Sequence, residues 1–177
     1  MGAVIYSGVD YQKIVSEAEK EADVIVWDGG NNDFPFLASD LKFVVADPMR
    51  SGHESSYYPG EANVYTADAI VINKIDSCYP DDLDNLRDNL YKMNPNAIII
   101  HAASPIFVDH GEKIRGKRVL VIEDGPTLTH GEMQIGAGYV AARRYGAGEI
   151  VDPKEYFVGT LLQALQKYPD IGPILPA

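Results

Sequence analysis

Four residues at the end of one apolar run carry the most specific chemical signal in this chain: Asn73-Lys74-Ile75-Asp76, directly after Ala69-Ile70-Val71-Ile72. A strand-end carboxylate such as Asp76 suits a pair of neighbouring N–H donors, such as the ring N–H and exocyclic amine of guanine, and Asn73 and Lys74 are the residues that would hold the loop and cover the base. A turn carrying a helix cap uses the same residue types, so the pattern gains its meaning from its place at the end of a strand. Asp28-Gly29-Gly30 is a second terminus of this kind. A strand-end carboxylate there suits Mg²⁺, directly or through water, and the two glycines let backbone approach a terminal phosphate. A plain glycine turn competes with that reading.

Two further segments are rich in polar groups. Asp124 to Gly138 contains Thr127, Thr129 and His130 and leads into the pattern Tyr139-Val140-Ala141-Ala142-Arg143-Arg144. Strand, Gly/Thr-rich loop and helix N-terminus in succession present N–H groups that suit an anion. Asp47 to Glu61 holds Arg50 as its single Lys or Arg, which makes Arg50 the natural phosphate contact. His53 and Glu54 in that loop are adjacent, and neighbours in sequence seldom converge on one ion, so they read as a polar surface pair. A GxxxxGK[ST] phosphate loop is missing. Gly111 to Lys117 comes close, but Arg118 replaces the hydroxyl residue, and the segment precedes a strand instead of opening a helix.

Strands and helices must bring these termini together. Val4-Ile5-Tyr6, Val24 to Trp27, Phe43 to Ala46, Ala69 to Ile72, Ala97 to Ile100 and Val119 to Ile122 are continuous apolar runs, the signature of strands covered on both faces. Between them lie helical patterns. Ile14, Val15, Ala18 and Ala22 follow Asp10; Leu83, Leu86, Leu90 and Met93 make one stripe within Asp81 to Met93; Asp152-Pro153 reads as the start of a helix that buries Phe157, Leu161 and Leu165. The expected class is α/β, with a mainly parallel sheet and helices on both faces. Ligands of such sheets bind at the carboxyl ends of the strands, where these polar termini lie. The expected division is a core over residues 1–105 and an α/β extension over 106–177 that continues the same domain.

Composition narrows the function classes. The chain has 177 residues, 46 % of them hydrophobic and 23 % charged, which suits a folded core. Fifteen Lys and Arg against 26 Asp and Glu give a formal charge of −11, a poor match for nucleic acid or an anionic lipid surface. No apolar run approaches the roughly 20 residues of a membrane-spanning helix. Cys78 alone forms no internal disulfide, and the start of the chain lacks the pattern of a targeting segment, so the cytoplasm is the expected compartment.

The stretches VIVWDGGNNDFPF, VVADPMRSGHESSYYPGE, ADAIVINKID, AASPIFVD, VIEDGPTLTHG and GAGYVAARRYGAGEIVDP together resemble the archaeal cyclic 2,3-diphosphoglycerate synthetase family and its GTPase-like relatives. The resemblance covers nearly the whole chain. It implies a P-loop-NTPase-like α/β region whose phosphate-loop strand lies upstream of the part matched here. It also implies ATP-dependent closure of 2,3-diphosphoglycerate into an intramolecular anhydride, with Mg²⁺ and ATP, or GTP by the NKxD loop, as cofactors of the complete protein. On that reading Asp28 is the magnesium-side carboxylate, Gly29 and Gly30 approach phosphate, and Asn73, Lys74 and Asp76 hold the base. Arg50, Thr127, Thr129 and His130 are substrate-side candidates on chemical grounds. The implied partners are a phosphorylated small molecule and either a segment or second chain that supplies the phosphate loop, or another copy of this chain. Without that loop the chain alone is expected to be inactive. The competing reading is a GTPase-like binding or regulatory module that holds an anion or a protein without catalysis. If the phosphate-loop strand is simply absent, Val24–Trp27 is expected to pair directly with Phe43–Ala46.

Overall fold

The computed structural model describes residues 4–30, 33–35, 37–123, 136–159, 161–163 and 173–176. They belong to two compact units, Met1–Ser104 and Pro105–Ala177.

In the first unit three apolar runs form parallel strands in the order β1 (Phe43–Ala46), β2 (Ala69–Ile72), β3 (Ile98–His101). Their register places Val44, Ile70 and Ile99 side by side. Short helices follow the polar termini: α1 is Tyr11–Ala18, α2 His53–Ser56, α3 Gly60–Thr66 and α4 Pro80–Met93. Helix α4 forms as its sequence dictates, with proline in its first turn, Asp81 and Asp82 at the positive end and Lys92 in the last turn. Its stripe lays Leu86 and Leu90 onto Ile70 and Ile72, all four fully buried, with Val64 of α3 and Ala97 closing the cluster. Each such side chain contributes about 1.5–3 kcal/mol through burial. Asn94 ends α4 inside this core. Its Nδ2 donates to the Val64 and Ala67 carbonyl oxygens, 2.9 Å each, and so locks the end of α4 to the end of α3.

The α/β class with a parallel sheet is the one expected. The faces of the sheet differ, however. Val44, Ala46, Ile70, Ile72 and Ile99 meet the helices α3 and α4, whereas Phe43, Val45, Ile98 and Ile100 on the opposite face are exposed.

Three expectations about elements change. Val4–Tyr6 and Val24–Trp27 are not strands but irregular backbone, and their side chains are largely exposed. Direct pairing of Val24–Trp27 with β1 therefore does not occur: among the described residues β1 pairs with β2 alone. Apolar residues of high β-propensity are not enough, because a strand is held by the ladder of a neighbour. The run Val119–Ile122 is broken. Arg118–Val119 (β4) pairs with Glu149–Ile150 (β6), and Ile122–Glu123 (β5) pairs with Leu175–Pro176 (β7), both parallel. The Asp152-Pro153 start gives a single 3-10 turn over Pro153–Tyr156, after which Phe157 is extended and buried. Residues 161–163 are helical, and Leu165 lies outside the described residues.

The second unit packs helix α5 (Ala137–Arg144) and Ile174 against Val121, with Ala142, Val121 and Ile174 buried. Its tightest backbone approach is at Gly148, where a Cβ would stand 2.8 Å from the Gly116 carbonyl oxygen, too close for any other residue. No helix among the described residues is long and apolar enough to cross a membrane.

Candidate functional site

The carboxyl ends of β1, β2 and β3 converge in a hydrogen-bonded group of loops. Asn73 N–H donates to the Ala46 carbonyl oxygen (3.0 Å) and Ala102 N–H to that of Ile72 (2.9 Å), so the ladder continues one residue past each strand. Lys74 then turns the chain with φ 59°, a left-handed conformation that a non-glycine residue adopts at a cost. The turn sends its Nζ back to Asp47 at 2.6 Å. Asp47 is itself fixed, because its Oδ1 accepts the Met49 N–H at 3.0 Å and caps the 3-10 turn Pro48–Arg50.

Asp76 is exposed and anchored on one side only. Its Oδ1 accepts the Ser104 N–H at 3.0 Å, while Ile75 N–H donates to the Ala102 carbonyl oxygen at 3.3 Å. The loops after β2 and β3 thus hold each other, with Oδ2 of Asp76 taking no hydrogen bond from the described residues. A carboxylate oriented through one oxygen and open at the other suits a ligand edge that carries N–H donors. Below it, Cys78 is half-buried with its thiol against the Ile75 carbonyl oxygen (3.6 Å). Burial pushes the Cys78 thiol up, and the nearby carboxylates of Asp82, Asp47 and Asp76 add to the effect, so it stays neutral.

Arg50 and Glu54 occupy the loop between β1 and α3. Glu54 is buried and fully engaged: its Oε2 accepts the Gly52 N–H and its Oε1 the Asn89 Nδ2, both at 2.7 Å. This replaces the surface pair expected of His53 and Glu54, since His53 turns its ring edge to Tyr57 instead. Arg50 is half-buried, and its Nε is buried without a hydrogen-bond partner among the described residues. A buried donor of this kind normally finds an acceptor.

The other candidates are not drawn into this group. Asp28, Gly29 and Gly30 are exposed on irregular backbone, where Gly30 N–H donates to Asp33 (2.9 Å). Thr127, Thr129 and His130 lie outside the described residues. Among the described residues no three His, Cys, Asp or Glu side chains gather as a metal-binding group. At the start of α5 a carboxylate of the chain itself stands where an external anion was expected: Glu123 Oε1 accepts the Tyr139 N–H at 2.9 Å. Gly136 lies beside it, and a Cβ there would meet the Glu123 carboxylate and push that side chain aside. Three anchoring residues, Asp47, Ser104 and Glu123, were absent from the sequence-based candidates. Each follows or ends an apolar run, and that position was their one legible signal.

No protein-family profile and no solved structure matches the chain. A curated relative does: arginine synthetase ArcE of Thermococcus kodakarensis, 61 % identical over 176 residues, which are 99 % of this chain and 39 % of the relative. The chain thus spans about two fifths of the length of the curated protein it matches. Along almost its whole length, the chain is similar to a part of that synthetase.

Proposed function

We propose that this chain is the base-reading edge of a nucleotide-driven synthetase, and that the complete protein forms arginine. The observation that carries the reading is the 61 % identity, over 99 % of the chain, with a protein named an arginine synthetase. The nucleotide half is supported by the strand-end loop, in which Ser104 orients Asp76 and leaves Oδ2 for a base. A carboxylate meets two N–H donors on the edge of guanine and a single amine on adenine, so GTP is the better partner of the loop. When bound, the nucleotide supplies a phosphoryl group that makes a substrate oxygen a leaving group.

The remaining roles belong to side chains of this chain. Asp28 is the carboxylate offered to Mg²⁺, since that ion takes one or two carboxylates together with phosphate oxygens, and phosphate would reach Gly29 and Gly30 by displacing the Asp33 carboxylate that now accepts the Gly30 N–H. Arg50 has a buried Nε to give to an anionic substrate group. Thr127, Thr129 and His130 are the further substrate-side donors. Without a phosphate loop the chain alone hydrolyses GTP or ATP no faster than buffer, because most of the electrostatic support of the transferring group is lacking.

The test exchanges this chain for the matched 176 residues of the Thermococcus relative and follows arginine and nucleotide together. Arginine formed in step with nucleotide consumption is the expected result. Arginine formed with no nucleotide consumed would remove the nucleotide role, and cyclic 2,3-diphosphoglycerate formed instead would replace the product.

A further inference from the structure

At the carboxyl edge of the sheet, Lys74 takes a left-handed conformation that disfavours any residue with a side chain, and in doing so brings its Nζ to Asp47 Oδ2 at 2.6 Å. The pair contributes little stability of its own, because the lysine and aspartate side chains keep 37 % and 20 % of their surface in water. A strained residue that supports a weak ion pair points to the site rather than to the fold.

Asp47 is placed to hold that charge. The register that pairs Ala46 with Ile72 sets Asp47 level with Asn73, one residue before Lys74. Its Oδ1 accepts the Met49 N–H, and Oδ2 is left for the ammonium. Asp76 and Asp82 lie near enough to act together with Asp47 on the Cys78 thiol. A lysine let go by Asp47 therefore has other carboxylates to turn to. Asp76 is the foremost of them, two residues on in the same loop and engaged with the described residues through Oδ1 alone.

We propose that Asp47 is a positioning residue that keeps the Lys74 ammonium off Asp76, so that Asp76 Oδ2 stays open to the edge of a purine base. The inference rests on the reading of this loop as the base-reading edge of a nucleotide site, and it assigns the control of that edge to a residue of a different loop, at the end of β1. With Asp47 silenced, the ammonium occupies the oxygen that the base N–H groups need, and a purine must break an ion pair before it binds. Asp47→Asn isolates this effect: the amide keeps an oxygen for the Met49 N–H, which leaves the Pro48–Arg50 turn capped, and turns donors toward the ammonium.

Titration of the Thermococcus relative carrying this chain with the fluorescent analogue mant-GTP tests the proposal without turnover. Asp47→Asn should weaken binding about tenfold, the worth of one hydrogen bond to a charged group. Lys74→Met, which removes the ammonium and keeps most of the stem, should weaken it by about threefold or less. The double variant, Asp47→Asn with Lys74→Met, has no ammonium to release, and its affinity should return to that of Lys74→Met alone. A double variant as weak as Asp47→Asn would mark Asp47 as a merely structural residue and overturn the proposal. So would an Asp47→Asn protein that binds as tightly as its parent, which refutes this inference alone. A parent that binds no mant-GTP would refute the nucleotide reading itself, and this inference with it.

Discussion

Val24-Ile25-Val26-Trp27 and Ala69-Ile70-Val71-Ile72 are two apolar runs of equal length, each closing on a polar terminus, and they come to opposite ends. Ile70 and Ile72 are fully buried in the middle strand of a sheet, with a ladder on either side and α4 beneath. Val24 and Val26 are 76 % and 82 % exposed on irregular backbone. Composition does not separate the two; neighbours do. β2 is flanked in its own unit by β1 and β3, and the Val24 run joins none of the sheets among the described residues. The termini follow the runs: Asp76 is held by Ser104 across 28 residues, while Gly30 exchanges two local bonds with Asp33.

Matched truncations should break this comparison most strongly. Ile72→Ala empties a fully buried site and should cost about 2–5 kcal/mol in urea unfolding, whereas Val26→Ala should stay within about 0.5 kcal/mol. Comparable losses at the two sites would mean that Val24–Trp27 packs as a strand in solution. Asn94→Ala should come next, at about 1–3 kcal/mol, because it takes the Asn94 donor from the Ala67 carbonyl oxygen and leaves the Val64 one with the Ala67 N–H at 3.4 Å. The same unfolding curves measure it, and a change below 1 kcal/mol, roughly the value of one ordinary hydrogen bond, would deny Asn94 its role as the tie between α3 and α4.

Lys74→Met sharpens the site end of the comparison. The Lys74–Asp47 pair is partly exposed, so its loss should cost no more than about 1 kcal/mol and should weaken further with salt. The smallest effect concerns Cys78. With its pKa raised in the folded chain, the thiol stays neutral at pH 7 and should react with iodoacetamide more slowly than the unfolded chain. The sign for stability follows: folding disfavours the thiolate, so this contribution is constant at neutral pH and stability falls as pH rises past the ordinary thiol pKa.

How much the sequence disclosed depended on how local the causes were. β1, β2, β3 and α4 were legible because each carries its own signal, a continuous apolar run or a capped stripe with acidic first turn. Val119–Ile122 reads as one strand, but two short partners, β6 and β7, divide it, and neither is visible from the run itself. Asp152-Pro153 suits an α-helix and a 3-10 turn equally, and the burial of Phe157 decides for the turn. At the site, Asn73, Lys74 and Asp76 were legible from their spacing. The bonds that orient them were not, since Lys74 to Asp47 and Asp76 to Ser104 join loops 27 and 28 residues apart and exist only once the strands align. The Glu123 contact at the start of α5 was hidden for a different reason: a helix N-terminus accepts an internal carboxylate as readily as an external anion.

The central claim, that Asp76 reads the base of the nucleotide that drives synthesis, is tested most directly by Asp76→Asn in the relative carrying this chain. Asparagine keeps an oxygen for the Ser104 N–H and turns amide donors toward the base, where the carboxylate had accepted. The KM for GTP should rise about 10- to 100-fold, the worth of hydrogen bonds to a charged group, with kcat for arginine formation nearly unchanged. An unchanged KM for both GTP and ATP would contradict the assignment and leave the Asn73–Asp76 loop as a structural turn.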